Sequence, residues 1–177
     1  MAFDARDEIW NAAYDTYYST YYEEKVCDVL LDRWQWLDEV TKILVALTAT
    51  GSAVAGWALW QDPNFKWIWT SIASTGAVLA IVHTALDVAG RLKGHGDNRR
   101  LFASLRIDLE TFRYRMQANN QFPVEEFTNE LVELRERYGQ AIDRGRNDIM
   151  LTDSLRQSVQ DELDERIADK IDKSQGG

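Results

Sequence analysis

Polar and apolar positions along this chain are segregated rather than mixed. Eighteen consecutive residues from Ile43 to Trp60 (ILVALTATGSAVAGWALW) carry no charge. Twenty more from Trp67 to Leu86 (WIWTSIASTGAVLAIVHTAL) carry none apart from the titratable His83. As helices rising about 1.5 Å per residue, these stretches would be about 27 and 30 Å long, close to the thickness of a bilayer's hydrocarbon core. The six residues between them, Gln61 to Lys66 with Pro63 among them, are too few for anything but an antiparallel hairpin. The pattern predicts two membrane spans, against the rival reading of a hairpin buried inside a soluble helical bundle.

The flanks carry helical periodicity. Trp10, Tyr14, Tyr17 and Tyr21, then Val26, Leu30, Trp34 and Leu37, recur every three or four residues in a stretch without Pro or Gly. They predict one long aromatic-rich helix over 3–40 whose stripe packs on later helices. Gly90, Gly94 and Gly96 then predict a short hinge. Beyond it, Asp97 or Asn98 can cap a helix over 97–118 with Leu101, Leu105, Leu109, Phe112 and Met116 on its apolar face. Pro123 suits the first turn of a helix over 123–146 that buries Val124, Phe127, Leu131, Leu134, Tyr138 and Ile142. Thr152 to Ser154 open a last helix over 152–172 with Leu155, Val159, Leu163, Ile167 and Ile171 four apart. The expected fold is all-α: an N-terminal helical region 1–40, a membrane hairpin 41–89 with spans 43–60 and 67–86, and a helical region 90–177.

Six of the seven tryptophans sit at the span edges: Trp34, Trp36, Trp57, Trp60, Trp67 and Trp69. Indole rings favour the headgroup level, so these are candidate interfacial anchors. Arg33 and Lys42 precede the first span and Arg91, Lys93, Arg99 and Arg100 follow the second, while the turn holds only Lys66. Short basic flanks stay inside, which predicts cytoplasmic termini with the turn outside. The opening residues, Met1 to Glu8, show neither a basic start nor an apolar run, so the first span is the expected targeting segment.

Small and hydroxylated residues interrupt both apolar stretches. Thr48, Ser52 and Gly56 stand four apart, and the second stretch repeats the theme with Ser71, Ser74, Thr75 and Gly76. Lipid does not select such stripes, whereas close helix contact does, so a homo-oligomer is expected. Two readings stay open here: tight packing within and between hairpins, or a water-filled path lined by the hydroxyls in an assembled ring. His83 and Asp87, four apart at the inner end of the second span, are a candidate polar group at a pore mouth or simply the point where the helix meets water.

The overall charge of −9 argues against nucleic acid as the partner. With one cysteine and two histidines there is no expected metal cluster and no disulfide. No nucleophile motif, paired catalytic carboxylates or phosphate-cradling glycine loop stands in the chain, so neither an enzyme nor a cofactor is expected. The absence of charge inside either span leaves no machinery for a proton relay or voltage sensor.

The order of features resembles the SLATT family of bacterial two-transmembrane effectors: an aromatic-rich helix, RWQWLDEVTKILVALTATGSAVAGWALW, a tiny turn, a second span, then more helices. The likeness is clearest from about Tyr17 to Met116. It implies an effector that assembles and perturbs the inner membrane in antiphage defence, triggered through the cytosolic helices by a separately encoded nucleotide-signalling or sensor protein. The alternative expectation is a membrane anchor or scaffold that recruits partners without opening a pore.

Overall fold

A computed structural model of the chain describes residues 4–59, 63–118, 123–142 and 148–175. The described residues are all-helical: α1 (Ala5–Leu59), α2 (Pro63–Ala85), α3 (Val88–Ala118), α4 (Val124–Ile142) and α5 (Asp153–Gln175). The chain divides into two compact units. The first comprises residues 1–30 and 94–177, the second residues 31–93.

The first unit is a helical bundle held by the predicted aromatic and leucine stripes. Ile9, Ala13 and Tyr17 of α1 meet Leu105, Leu109, Phe112 and Met116 of α3 and Phe127, Leu131 and Leu134 of α4 in one buried cluster. The Phe112 and Phe127 rings meet edge-on with centroids 5.5 Å apart, the favoured quadrupolar arrangement. Cys27, Phe102 and Ala141 form a smaller cluster. In α5, Leu155, Val159 and Leu163 are buried, whereas Val124 of α4 is exposed, contrary to the expectation for that helix. Val124 is the first residue of α4, ahead of the point where the helix meets its neighbours.

Helix ends follow ordinary capping chemistry. The Asp4 carboxylate accepts from the Arg6 amide at 3.0 Å, and Thr152 Oγ1 accepts from the Leu155 amide at 3.3 Å. Arg6 also donates to the Met116 carbonyl at 2.8 Å, tying the start of α1 to the end of α3.

Charge in the first unit is used to stack as well as to pair. The guanidinium carbon of Arg113 lies 4.6 Å from the Trp10 ring centroid, 4.9 Å from Tyr14 and 5.5 Å from Tyr17. Its buried Nε has no hydrogen-bond partner, and the aromatic faces take that role. Arg106 stacks on Tyr21 at 5.2 Å and pairs with Glu24 at 2.6 Å, a bond that holds its guanidinium above its already high ordinary pKa. The Tyr18 hydroxyl donates to Asp164, and its pKa is raised to about 12 by burial first and by that carboxylate second. The tyrosine stripe of α1 is thus a packing surface for arginines and α5.

The glycine stretch does not break the helix. The helix expected to start at Asp97 begins at Val88 and runs through Gly90, Gly94 and Gly96. A helical glycine costs only about 1 kcal/mol against alanine, and His95 on the same segment is buried and tied to Asp148 at 2.7 Å. The break falls instead at Leu86–Asp87, where Asp87 adopts a left-handed φ of 48°. Aspartate tolerates that conformation, and the Asp87 carboxylate accepts from the Gly90 amide at 3.3 Å as the cap of α3.

Among the described residues no single helix is long and apolar enough to cross a membrane; Ser74–Ala85 and Val88–Ala118 pass that test only as a bent pair. Side chains within 48–66 and at 68, 69, 72 and 73 lie outside the described set, so both apolar stretches enter that comparison only in part.

Candidate membrane-facing surface

In the second unit the inward side is built first. Trp34 and Val88 are fully buried, and Thr41 is buried with its hydroxyl donating to the Leu37 carbonyl at 2.8 Å. Arg91 lies over the Trp34 ring at 5.1 Å and donates to the Leu86 carbonyl at 3.0 Å, across the break between α2 and α3. Trp34 is therefore a core residue. The expectation of an interfacial anchor fails there because the indole has an arginine to stack on, which the tryptophan count does not reveal.

Among the described residues an ionic contact joins α1 and α2. Asp38 of α1 pairs with His83 of α2 at 2.9 Å and with Lys42, one turn along α1, at 2.6 Å. These bonds, Lys42 first and His83 second, hold the Asp38 carboxyl below its ordinary pKa. The expected His83–Asp87 pair is not formed: His83 faces Asp38, and Asp87 caps α3. The four-residue spacing was compatible with a pair on one helix, but α2 ends at Ala85 and Asp87 leaves its face.

The outward side of α2 is the notable surface. Trp67, Ser71, Ser74, Val78, Ile81 and Ala85 recur every three or four residues and form one exposed line. Thr70, Thr75, Ala77, Val82 and Thr84 flank it and are also exposed. This half of the helix carries no charge. Three of its hydroxyls close onto their own backbone: Ser71 donates to the Trp67 carbonyl at 2.9 Å, Thr75 to the Ser71 carbonyl at 2.8 Å and Thr84 to the Ala80 carbonyl at 3.0 Å. On α1 the same character appears at Trp36, Ile43 and Leu47, exposed at 66%, 59% and 57%.

The predicted stripe of the second stretch is divided by this geometry. Ser71, Ser74 and Thr75 point outward, while Gly76 sits on the buried side with His83. Trp36 and Trp67 are exposed. The side chains of Thr48, Ser52, Gly56, Trp57 and Trp69, and all of Trp60, lie outside the described residues. The sequence pattern marks Arg91 as a basic flank of the second stretch and gives neither Arg91 nor Asp38 its partner. An Asp38–Lys42 spacing of four was available as a signal, but the partners across the hairpin were not.

No group of three or more His, Cys, Asp or Glu side chains suited to a metal occurs among the described residues. Comparison with known protein families, with characterised proteins and with solved structures finds no match for this chain.

Proposed function

We propose that residues 43–60 and 67–86 form a two-span membrane hairpin, and that the protein is an oligomeric effector that permeabilises a bacterial inner membrane in antiphage defence. The observation that carries the reading is the uncharged outward half of α2 from Trp67 to Ala85. An exposed helix face in water is normally laced with Lys and Glu. An uncharged face on which Ser71, Thr75 and Thr84 each bond their hydroxyl to the i−4 carbonyl is suited to hydrocarbon, where donors are best satisfied internally. Trp36 and Trp67, more than half exposed, suit the headgroup level at its edge.

The small outward residues Ser71, Ser74 and Thr75 suit a second copy as well as lipid, because they allow backbones to approach closely. Assembly through them, and through Thr48, Ser52 and Gly56, is the proposed route to a pore. The trigger is assigned to a separately encoded sensor acting on the charged helices of the first unit. The scaffold reading is favoured by exposed Ile107 and Tyr114, two turns apart on α3 of that unit, which offer a partner a foothold away from lipid.

Membrane potential in bacteria expressing the protein from a tight promoter tests the proposal. Rapid depolarisation before lysis, absent in the Ser52→Leu/Gly56→Leu double variant, supports a pore. Full polarisation during phage infection, with the protein in the membrane and the neighbouring genes present, favours the scaffold.

A further inference from the structure

A second candidate site lies in the first unit and does not depend on the membrane reading. A partly enclosed cavity of about 160 Å³ lies between α1, α3, the end of α4 and the start of α5. On α1 its lining follows one face in successive turns. Val26, Cys27 and Leu30 form the deep part, each no more than 5% exposed. Tyr22 and Glu23, one turn before Val26 and Cys27, are half-buried at the mouth. Phe102 of α3 completes the buried wall, and Arg156 of α5 is exposed at the mouth.

Wall and mouth differ in charge. Burial first, then Glu23, Asp28 and Glu24, push the Cys27 thiol up to about 12, so it stays protonated and the α1 wall is neutral. His95 also borders the cavity, but both ring nitrogens are closed off: Nε2 meets Asp148 at 2.7 Å and Nδ1 is buried. A cavity of about 150 Å³ is enough to take a benzene ring, so an isobutyl group fits this one. The mouth carries opposite charges, the Glu23 carboxylate on α1 and the Arg156 guanidinium on α5. Arg156 is held there by the bond it donates to the Tyr22 hydroxyl. A guanidinium has several donors, so that bond leaves others for a ligand. A carboxylate has several acceptor sites, so Glu23 can take an ammonium beside the contacts it already makes. The neighbouring acids Glu24 and Asp28 pair with Arg106 and Arg99.

We infer that this cavity binds a free amino acid with an aliphatic side chain of leucine size, its side chain against the apolar wall, its ammonium on Glu23 and its carboxylate on Arg156. Only hydrocarbon enters the cavity. The two charges stay at the mouth, where they keep access to water and meet their opposites, so neither is buried unpaired. The planar guanidinium suits a carboxylate, which can take two of its donors at once. An amine without the carboxylate forgoes Arg156. An acid without the ammonium meets Glu23 as a like charge.

The test is isothermal titration of L-leucine into the full chain in detergent micelles, with glycine, 3-methylbutylamine and 4-methylpentanoate as ligands lacking the side chain, the carboxylate and the ammonium in turn. Arg156→Gln and Glu23→Gln each remove one charge at the mouth, and Cys27→Met fills the cavity with an unbranched side chain. The expected result is saturable leucine binding to the wild type, weaker by at least about tenfold for each of the three analogues and in each charge variant, because each loses a hydrogen-bonded charge pair or the apolar contact. Binding should be lost in Cys27→Met. In Arg156→Gln, leucine should also lose its advantage over 3-methylbutylamine, which a merely structural role of Arg156 would leave intact. No saturable leucine binding to the wild type at millimolar concentration overturns the inference. So does equal binding of leucine and any analogue, or leucine binding unchanged in Arg156→Gln, Glu23→Gln or Cys27→Met.

Discussion

Replacing Val78 by Lys separates a lipid-facing α2 from a water-facing one. Val78 is 58% exposed on the outward line of α2 and lies near the middle of the uncharged stretch 67–86. If that face meets water, the change removes little packing and falls within about 0.5 kcal/mol of neutral, as exposed substitutions do. If it meets hydrocarbon, a central lysine costs about 2.5–3.5 kcal/mol, and the lost valine adds about 0.3–0.6. The sum is about 3–4 kcal/mol, which at about 1.4 kcal/mol per decade is about a 100- to 1,000-fold shift in the insertion equilibrium. Thr84→Lys is the matched control, also on the exposed face but at the end of the stretch, where lysine reaches the interface. A glycosylation acceptor engineered into the 61–66 turn, read out in microsomes, reports insertion of the hairpin. Wild type and Thr84→Lys should be modified and Val78→Lys largely unmodified. Equal modification of all three proteins would refute the reasoning, as would a wild type that is never modified.

Three further outcomes follow from packing, backbone and charge. Leu109 is fully buried in the first unit's core, so Leu109→Ala should cost about 2–5 kcal/mol, read as a lower midpoint in thermal unfolding monitored by circular dichroism; a loss below about 1 kcal/mol would contradict that core. A Cβ on Gly90 would overlap the Asp87 carboxylate and dislodge the cap of α3, whereas one on Gly94 meets nothing. Gly90→Ala should therefore destabilise, and Gly94→Ala should stabilise by about 0.5–1 kcal/mol, the reverse order showing that the segment is not helical. Because Lys42 and His83 hold the Asp38 carboxyl below its ordinary value, its contribution is complete above about pH 4, the unfolded range, and is lost as pH falls through the lowered folded value. The stability gap between wild type and Asp38→Asn should accordingly close only in that acidic range, and a gap that persists unchanged there would show that the ion pair contributes nothing.

Local pattern determined most of the secondary structure. The three- and four-residue recurrence of Tyr17, Leu105, Leu109, Phe112, Phe127 and Leu131 was readable as helix faces because a helix repeats every 3.6 residues whatever it packs on. The same pattern placed α4 and α5 nearly where they stand. Glycine was a poorer guide. A modest propensity penalty does not break a helix whose neighbouring side chains are buried, and the break at Asp87 depends on a cap that forms only with the left-handed turn.

What only the tertiary structure decided was pairing and sidedness. Seven tryptophans look alike in a sequence, yet Trp34 is buried beneath Arg91 while Trp36, two residues on, is exposed. His83 had Asp87 within reach by spacing and took Asp38, 45 residues away, as its partner. His95 took Asp148, 53 residues away, leaving its other ring nitrogen buried without a hydrogen-bond partner. Periodicity is a property of one helix and survives in isolation. Partnership is a property of two, and the sequence distance between such residues carries no imprint of the contact that folding makes.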